Sequence, residues 1–442
     1  MIQGIVIIVV FFILAVLMIR RKIPTFVALL LMAIVTCVVS GVPFMGKDAD
    51  GREIGWLQTI IEAGSIRMAS AIVASIFGGW LGQLMNRTGV TETIIKKSAE
   101  LGGDRPLVVS VILMAANAIL FTTLSGLGSV IMVGSIFLPI LISVGVPAVT
   151  ASCLFLMSFN IGLTFNMTNW QTFRSIFGLE LAQIQQFMTY MLVTTLALTI
   201  AFLLVEYFRN GRKFAFAAPI DGADPSRGGN PGEDTRPIKG VSGFLAMLSP
   251  VIPILLVVLF KVPINPAFIV GIIWILVFTA KSFGKAMNML IKAAYDGIAS
   301  IAPAVLLFIG IGILFLAVTN PLVKEILNPF MLVIVPSGRI AFIVFFALLA
   351  PLSLYRGPLN LFGLGSGIAA LIIGLGTLNP LAVMGAFLSS ERIQGAGDPT
   401  NTHNVWTANF TGIDVNLITK KTLPYLWAIA IIGVIITGAV YF

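Results

Sequence analysis

Charge is what this sequence has least of. Asp, Glu, Lys and Arg make up only 10% of its 442 residues, and 58% are hydrophobic; soluble domains carry about 25% charged residues. Mean hydropathy is +1.04, so a water-soluble fold cannot cover the apolar surface and the bilayer is the solvent for most of the chain. Histidine is almost missing: His403 stands alone, which excludes a His-rich metal site. The two cysteines, Cys37 and Cys153, lie in apolar runs where small buried hydrophobes are ordinary, and they imply no disulfide framework. No Walker sequence, catalytic triad spacing or Cys/His metal spacing occurs. ATP hydrolysis and catalysis therefore have no visible machinery, and neither enzyme activity nor a cofactor is expected beyond a coupling Na⁺ or H⁺.

What is present is a series of apolar runs. Only helices or closed barrels satisfy the backbone in hydrocarbon, and unbroken runs such as 5–19 do not alternate as barrel strands do. An all-α polytopic membrane protein is predicted. Single spans are read near 2–19, 24–44, 60–85, 147–164 and 188–208, then 242–260, 264–281, 297–319, 379–390 and 423–442. The first lacks a basic start and is followed by Arg20, Arg21 and Lys22, so it reads as an uncleaved span. Two further regions, 106–144 and 339–376, are interrupted by Gly/Ser-rich breaks into limbs short for a crossing of roughly 20 residues, and read as re-entrant hairpins. Residues 209–240, with Pro219, Pro225, Pro231 and Pro237, read as a flexible cytoplasmic linker.

Basic residues set the orientation. Segments 20–22, 87–105, 209–239, 281–292 and 392–421 hold 19 of the 27 Lys and Arg, so the positive-inside rule places them in the cytoplasm and both termini outside. The net charge of +9 is explained by these loops rather than by a nucleic-acid partner.

An internal repeat divides the chain into 1–208 and 241–442. Glu62 matches Asp296, and Gly103-Asp104-Arg105 matches Ser337-Gly338-Arg339. Gly126-Leu127-Gly128-Ser129 matches Gly363-Leu364-Gly365-Ser366, and Pro147 matches Pro380. Asn169-Trp170 matches Asn404-Val405-Trp406, and Gly178-Leu179-Glu180 matches Gly412-Ile413-Asp414. Ordered matches at nearly constant offset are the mark of a duplicated unit. Five spans between the hairpins invert the second copy, giving two inverted repeats of five transmembrane helices plus one hairpin each, ten spans in all. Secondary transporters are built this way, with their sites near the midplane.

Polar residues at membrane depth are costly unless they line a site. The first half carries Asn160, Gly162, Thr164, Asn166, Thr168 and Asn169 after its hairpin; the second carries Gly395, Gly397, Asp398, Thr400, Asn401, Thr402, His403 and Asn404. The hairpin tips add Ser125, Gly126 and Ser129, and Arg356, Asn360 and Ser366. Arg356 is suited to carboxylate binding, or it snorkels from a tip that reaches the interface. Asn160, Asp398, His403 and Asn404 are candidates for cation or proton coupling, His403 equally for a hydrogen-bonded structural role. Arg67 either faces substrate or pairs near the outer interface. Glu62 and Asp296 serve coupling or are acidic helix starts, and adjacent Glu391 and Arg392 read as a paired structural charge. Trp170 and Trp406 read as interface anchors.

The layout of two repeats, each with three spans, a re-entrant hairpin, a broken span and a final span, resembles the ion transporter superfamily, nearest its gluconate permease and citrate transporter branches, over nearly the whole chain. The family's Ser-Asn-Thr tips are replaced by Thr122-Thr123-Leu124-Ser125-Gly126 and Tyr355-Arg356-Gly357-Pro358-Leu359-Asn360. By position, the resemblance implies that the tips and the polar stretches hold substrate, with Asn117 supporting the first tip. It also implies elevator motion and homodimers. The expected function is cation-coupled symport of an organic anion, a carboxylate or sugar acid, across a bacterial inner membrane; the alternative is Na⁺/H⁺ antiport. Substrate and bilayer are the expected partners.

Overall fold

The computed structural model describes residues 2–20, 22–103, 105–210, 240–280, 282–336, 338–376 and 378–442. The predicted linker falls almost wholly outside these, as do Arg21, Asp104, Lys281 and Ser337. Among the described residues the chain is helical, with one isolated bridge between Lys47 and Glu53 as its extended pairing. Seven helices are long and apolar enough to cross a bilayer, or nine if two bent pairs each count as one. The chain is a multi-pass membrane protein.

The first half runs α1 (Ile2–Ile19), α2 (Thr25–Val39), a π-helical stretch (Leu57–Glu62) leading into α3 (Ala63–Arg67) and α4 (Ala69–Arg87), then α5 (Val90–Gly102). Next come α6 (Pro106–Leu120) and α7 (Gly126–Ser143), the limbs of the first predicted hairpin. The bent pair α8 (Ala148–Thr164) and α9 (Met167–Phe177) follows, and then α10 (Leu181–Asn210). The second half follows after the linker. It starts with the bent pair α11 (Gly240–Met247) and α12 (Val251–Leu259), followed by α13 (Ile264–Thr279), α14 (Phe283–Thr319) and α15 (Pro321–Ile334). The second hairpin is α16 (Arg339–Leu349), a 3₁₀ stretch (Ala350–Arg356) and α17 (Gly365–Leu375). A discontinuous α18 (Pro380–Gly397) and α19 (Thr402–Thr411) precede α20 (Val415–Val440).

Several boundaries differ from the sequence reading. Residues 87–105, read as a loop, contain α5, and 321–334, assigned to no element, form α15; both are amphipathic, so neither registers as an apolar run. α14 begins at Phe283 rather than 297, and its 37 residues reach about 55 Å at 1.5 Å per residue, beyond the hydrocarbon thickness. α7 has 18 residues, long enough to cross rather than a short limb.

Small residues set the central packing. α4 and α14 cross antiparallel where a Cβ on Gly79 would lie 2.9 Å from Gly297 O and one on Gly297 2.7 Å from Trp80 N. Fifteen residues earlier in the chain, Gly64 of α3 meets Gly312 and Ile313, with 2.5 Å from its would-be Cβ to Ile313 Cα. Such close backbone approach is how helices associate where lipid is as apolar as their side chains. Arg67 caps this crossing: its guanidinium lies 3.6 Å from the Phe315 ring centroid and donates to Ser175 O at 3.5 Å.

The tryptophans depart from the interface reading. Trp170 is fully buried and donates Nε1–H to Thr164 O at 2.8 Å, so it bridges the α8–α9 break. Trp406 is half-buried, stacks on Phe410 at 5.0 Å and packs against Gly134 of α7. Cys37 and Cys153 are buried free thiols, as read. Asp296 is paired with Arg87 across α4 and α14, whereas Glu62 is exposed.

Candidate functional site

A cavity of about 800 Å³ lies where both hairpin tips and both helix breaks meet. Its polar wall is built by local backbone chemistry. Gly126, with φ +82°, supplies the left-handed conformation that lets α6 turn into α7, and Ser125 stands at the N-cap of α7. In the first break, Asn166 Oδ1 accepts from the N–H of Asn169 at 3.1 Å and caps α9. Its Nδ2 donates to Phe121 O and Leu124 O at 2.9 and 3.0 Å. One side chain thereby joins the broken helix to the hairpin tip. Thr168 Oγ1 stands 3.5 Å from Ser125 Oγ.

The second break is built differently. Asn401 precedes α19, and its side chain exchanges hydrogen bonds with Gln394: Gln394 Nε2 donates to Oδ1 at 3.0 Å and Nδ2 donates to Gln394 O at 2.7 Å. His403 Nε2 lies 2.8 Å from Gly395 O, and its ring packs on Phe159 at 4.8 Å. Arg356 comes from the second tip, where Tyr355 and Arg356 both hold φ of +56°. Two consecutive non-glycine residues in the left-handed region are strained and persist where the surroundings over-determine them. The Arg356 N–H donates to Asp398 Oδ2 and its Nη1 to Phe362 O, both at 3.4 Å.

The structure brings together Ser125, Gly126, Asn166, Thr168, Asn169, Arg356, Asn401, Thr402 and His403 on one cavity. The remaining candidates sit behind its wall. Ser129 Oγ donates to Ser125 O, and Ser366 Oγ to Gly363 O, at 3.0 and 3.1 Å. Asn360, fully buried, donates to Ser353 O and accepts from Phe362 N–H, stapling the second tip. Asp398 accepts from the N–H and Oγ1 of Thr400 at 2.8 and 2.7 Å. Asn404 Nδ2 donates to Asp398 O, and Asn160 Nδ2 to Arg392 O, while both amide oxygens are without a partner. Asn117 Nδ2 donates to Phe155 O and Ser158 Oγ, tying α6 to α8.

The charge pattern favours an anion. α7, α9 and α19 all start on this cavity, and helix N-termini carry partial positive charge and free N–H groups. Arg356 adds a full one. The opposite wall is apolar, with Ile301, Pro303, Leu306, Leu307 and Phe308 of α14 beside Phe159 and Phe362. Glu391 and Gln394 also line the cavity. Gln394 was not selected from sequence; Glu391 was read as a paired structural charge with Arg392 or, in the antiport alternative, as an exchanging carboxylate. A second cleft of about 550 Å³ adjoins the first and shares Pro24, Thr25, Leu127, Arg356 and Thr402 with it.

No protein-family model matches this chain, and no curated protein matches it. Solved structures do. The YdaH transporter of Alcanivorax borkumensis, described as having an unusual topology, superposes with a TM-score of 0.58 at 12% identity, covering 94% of this chain and 97% of that one. MtrF of Neisseria gonorrhoeae, described as illuminating a class of antimetabolite efflux pumps, gives 0.57 at 13% identity and covers 95% of each chain. Neither is a gluconate permease or a citrate transporter, so the likeness found lies outside the branch named from the sequence. The chain has the fold of a membrane transporter.

Proposed function

We propose that this protein is a secondary active transporter of an organic anion, coupled to H⁺ or Na⁺. The observation that carries the proposal is the convergence of three helix N-termini and Arg356 on one cavity between the two hairpin tips. Its volume falls in the range of small-molecule sites, about 300–1,000 Å³. The polar half would hold a carboxylate, and the α14 wall favours a substrate with an apolar body over a polyhydroxylated sugar acid. Ser125, Thr168, Asn169, Asn401 and Thr402 would orient it, with Asn160, Asp398, His403 and Asn404 supporting the coupling ion.

The proposed architecture is two inverted repeats with ten spans, both termini outside the bacterial inner membrane. Contacts of α3, α4 and α14 support it. Gly64 and Gly79 lie within one position of the equivalents of Gly297 and Gly312, and the observed contacts are Gly64 with Gly312 and Gly79 with Gly297. Under the proposed pseudo-two-fold these would be two copies of one contact. Asn160 corresponds to Gly395, and these two equivalent positions touch each other, as residues on such an axis must. An elevator motion would move hairpins and broken helices against α2, α4 and α14, which form the far wall of the cavity. Homodimer formation belongs to the same proposal.

A second reading is outward transport, favoured by the likeness to MtrF. Na⁺/H⁺ antiport through Asp398, Glu391, Glu62 or Asp296 is the alternative; Asp296 is paired with Arg87 and Asp398 is bonded to Thr400, which leaves fewer carboxylates for it. The test is accumulation of labelled carboxylates in proteoliposomes under imposed H⁺ or Na⁺ gradients of either direction. Gradient-driven movement of a carboxylate is expected, its direction separating uptake from export. Cation exchange with no anion present, and no carboxylate movement, would refute the proposal.

A further inference from the structure

Three titratable side chains line the central cavity among the described residues, Arg356, Glu391 and His403, and Glu391 is the acidic one. Glu391 is 1% exposed and pairs with Arg392, which has no exposure at all. Arg392 is fixed in the contact between α8 and α18: Nη1 donates to Asn160 O at 3.1 Å while Asn160 Nδ2 donates to Arg392 O at 2.9 Å. Its Nε has no partner. A cation held so deeply requires a negative charge close by. The repeat-equivalent stretch of α8 reads Leu156-Met157-Ser158-Phe159. The charged pair therefore has no counterpart in the first half, and the fold repeats without it.

We infer that Glu391 is the proton-coupling group, and that its carboxylate and the substrate anion alternate as the negative charge of the cavity. This rests on the anion-transport reading above. In the empty cavity the Glu391 carboxylate faces the Arg392 guanidinium. An anion entering beside Arg356 brings a second negative charge into the same enclosed space, and Glu391 takes up one proton from the cavity water, one carboxylate oxygen becoming a hydroxyl. In both states one exchangeable negative charge, Glu391 or substrate, accompanies Arg356 and Arg392, while Asp398 stays bonded to Thr400. On release of the anion the proton returns to water on the side of release. One proton accompanies each monocarboxylate.

Among the titratable groups around α18, Glu391 is the acidic one that lines the cavity. The 3₁₀ stretch contributes Arg356 and Tyr355, and His403 faces the same cavity. On α18 itself, Asp398 is buried and bonded to Thr400. α20 contributes Lys420, Lys421 and Tyr425, and α10 contributes Glu206, Tyr190, Tyr207 and Arg209. Lys421 pairs with Glu206 at 2.5 Å, and Tyr425 packs on Phe202. α9 carries Arg174, which is exposed, α8 carries buried Cys153, and α17 has no titratable side chain.

The test is binding of succinate, citrate, gluconate and benzoate to the purified full chain between about pH 6 and about pH 8, read by thermal shift. One coupled proton changes affinity by up to about tenfold per pH unit. In the wild-type protein, binding of the accepted anion should tighten at least tenfold at the lower pH. Glu391→Gln should bind it at the higher pH as tightly as the wild type does at the lower, with less than twofold pH dependence. Because Glu391→Gln alone leaves Arg392 uncompensated, the paired variant Glu391→Gln with Arg392→Gln is measured beside it and should also lose the pH dependence. Retention of the wild-type pH dependence by either folded variant overturns the inference while leaving anion transport intact. Failure of the wild type to bind any of the four anions overturns the anion reading itself.

Discussion

Arg356 is placed by its backbone as much as by its side chain. The left-handed pair Tyr355–Arg356 turns the guanidinium between two adjoining clefts, and the N–H bond to Asp398 ties the tip to the second helix break. Arg356→Gln removes the charge and keeps the tip's hydrogen-bonded frame. It should weaken anion binding by about 2–5 kcal/mol and leave the unliganded melting temperature within a few degrees of the wild type, both read from thermal unfolding. Trp170→Phe keeps the ring and deletes the N–H bond to Thr164 across the first break; the expected cost is about 1–2 kcal/mol, measured as a lowered melting temperature without ligand. At this scale the sequence shows which polar residues are out of place in hydrocarbon, and Arg356, Asn166 and Asn401 could be picked for that reason. It does not show where the side chains turn: Ser129, Ser366 and Asn360 have the same composition signal but bond back to their own tips. Trp170 looked like an interface anchor because the bend that buries it is a property of two helices.

The α4–α14 crossing is the element on which the remaining packing rests. At Gly79 and Gly297 there is no room for a side chain, since each added Cβ falls within 3 Å of the opposing backbone. Gly79→Val and its repeat equivalent Gly312→Val should each destabilise by about 1–3 kcal/mol, and by similar amounts if the pseudo-symmetry holds. Melting temperatures of the two variants check this; a large cost for one and none for the other would count against the repeat. Apolar length made α1, α10 and α20 legible as spans. α5 and α15 were not, because an amphipathic helix lying beside the bundle has the composition of a loop. The start of α14 was missed for the same reason, since Lys285, Lys292 and Asp296 interrupt its apolar run before Gly297.

For the whole molecule, the distribution of basic residues predicts that Lys47 faces the outside and Lys97 the cytoplasm; both are exposed. In intact cells Lys47→Cys should react with a membrane-impermeant thiol reagent, and Lys97→Cys only after permeabilisation. The proposed duplication rests on six ordered matches whose offsets run from 233 to 237, and the glycine contacts between α3–α4 and α14 fall within one position of that pairing. Which groups face one another across the duplicated halves was not readable, because Ser125, Arg356 and Asn401 meet only through the long-range packing of tips against breaks. The central claim is that the cavity between those tips holds an organic anion. It is tested most directly by the thermal stability of the purified protein against a panel of carboxylates with and without Na⁺, because a ligand that binds the folded state raises stability by mass action. The account predicts a saturable shift with one carboxylate class that Arg356→Gln abolishes. Stabilisation by inorganic cations alone, unchanged in that variant, would contradict it.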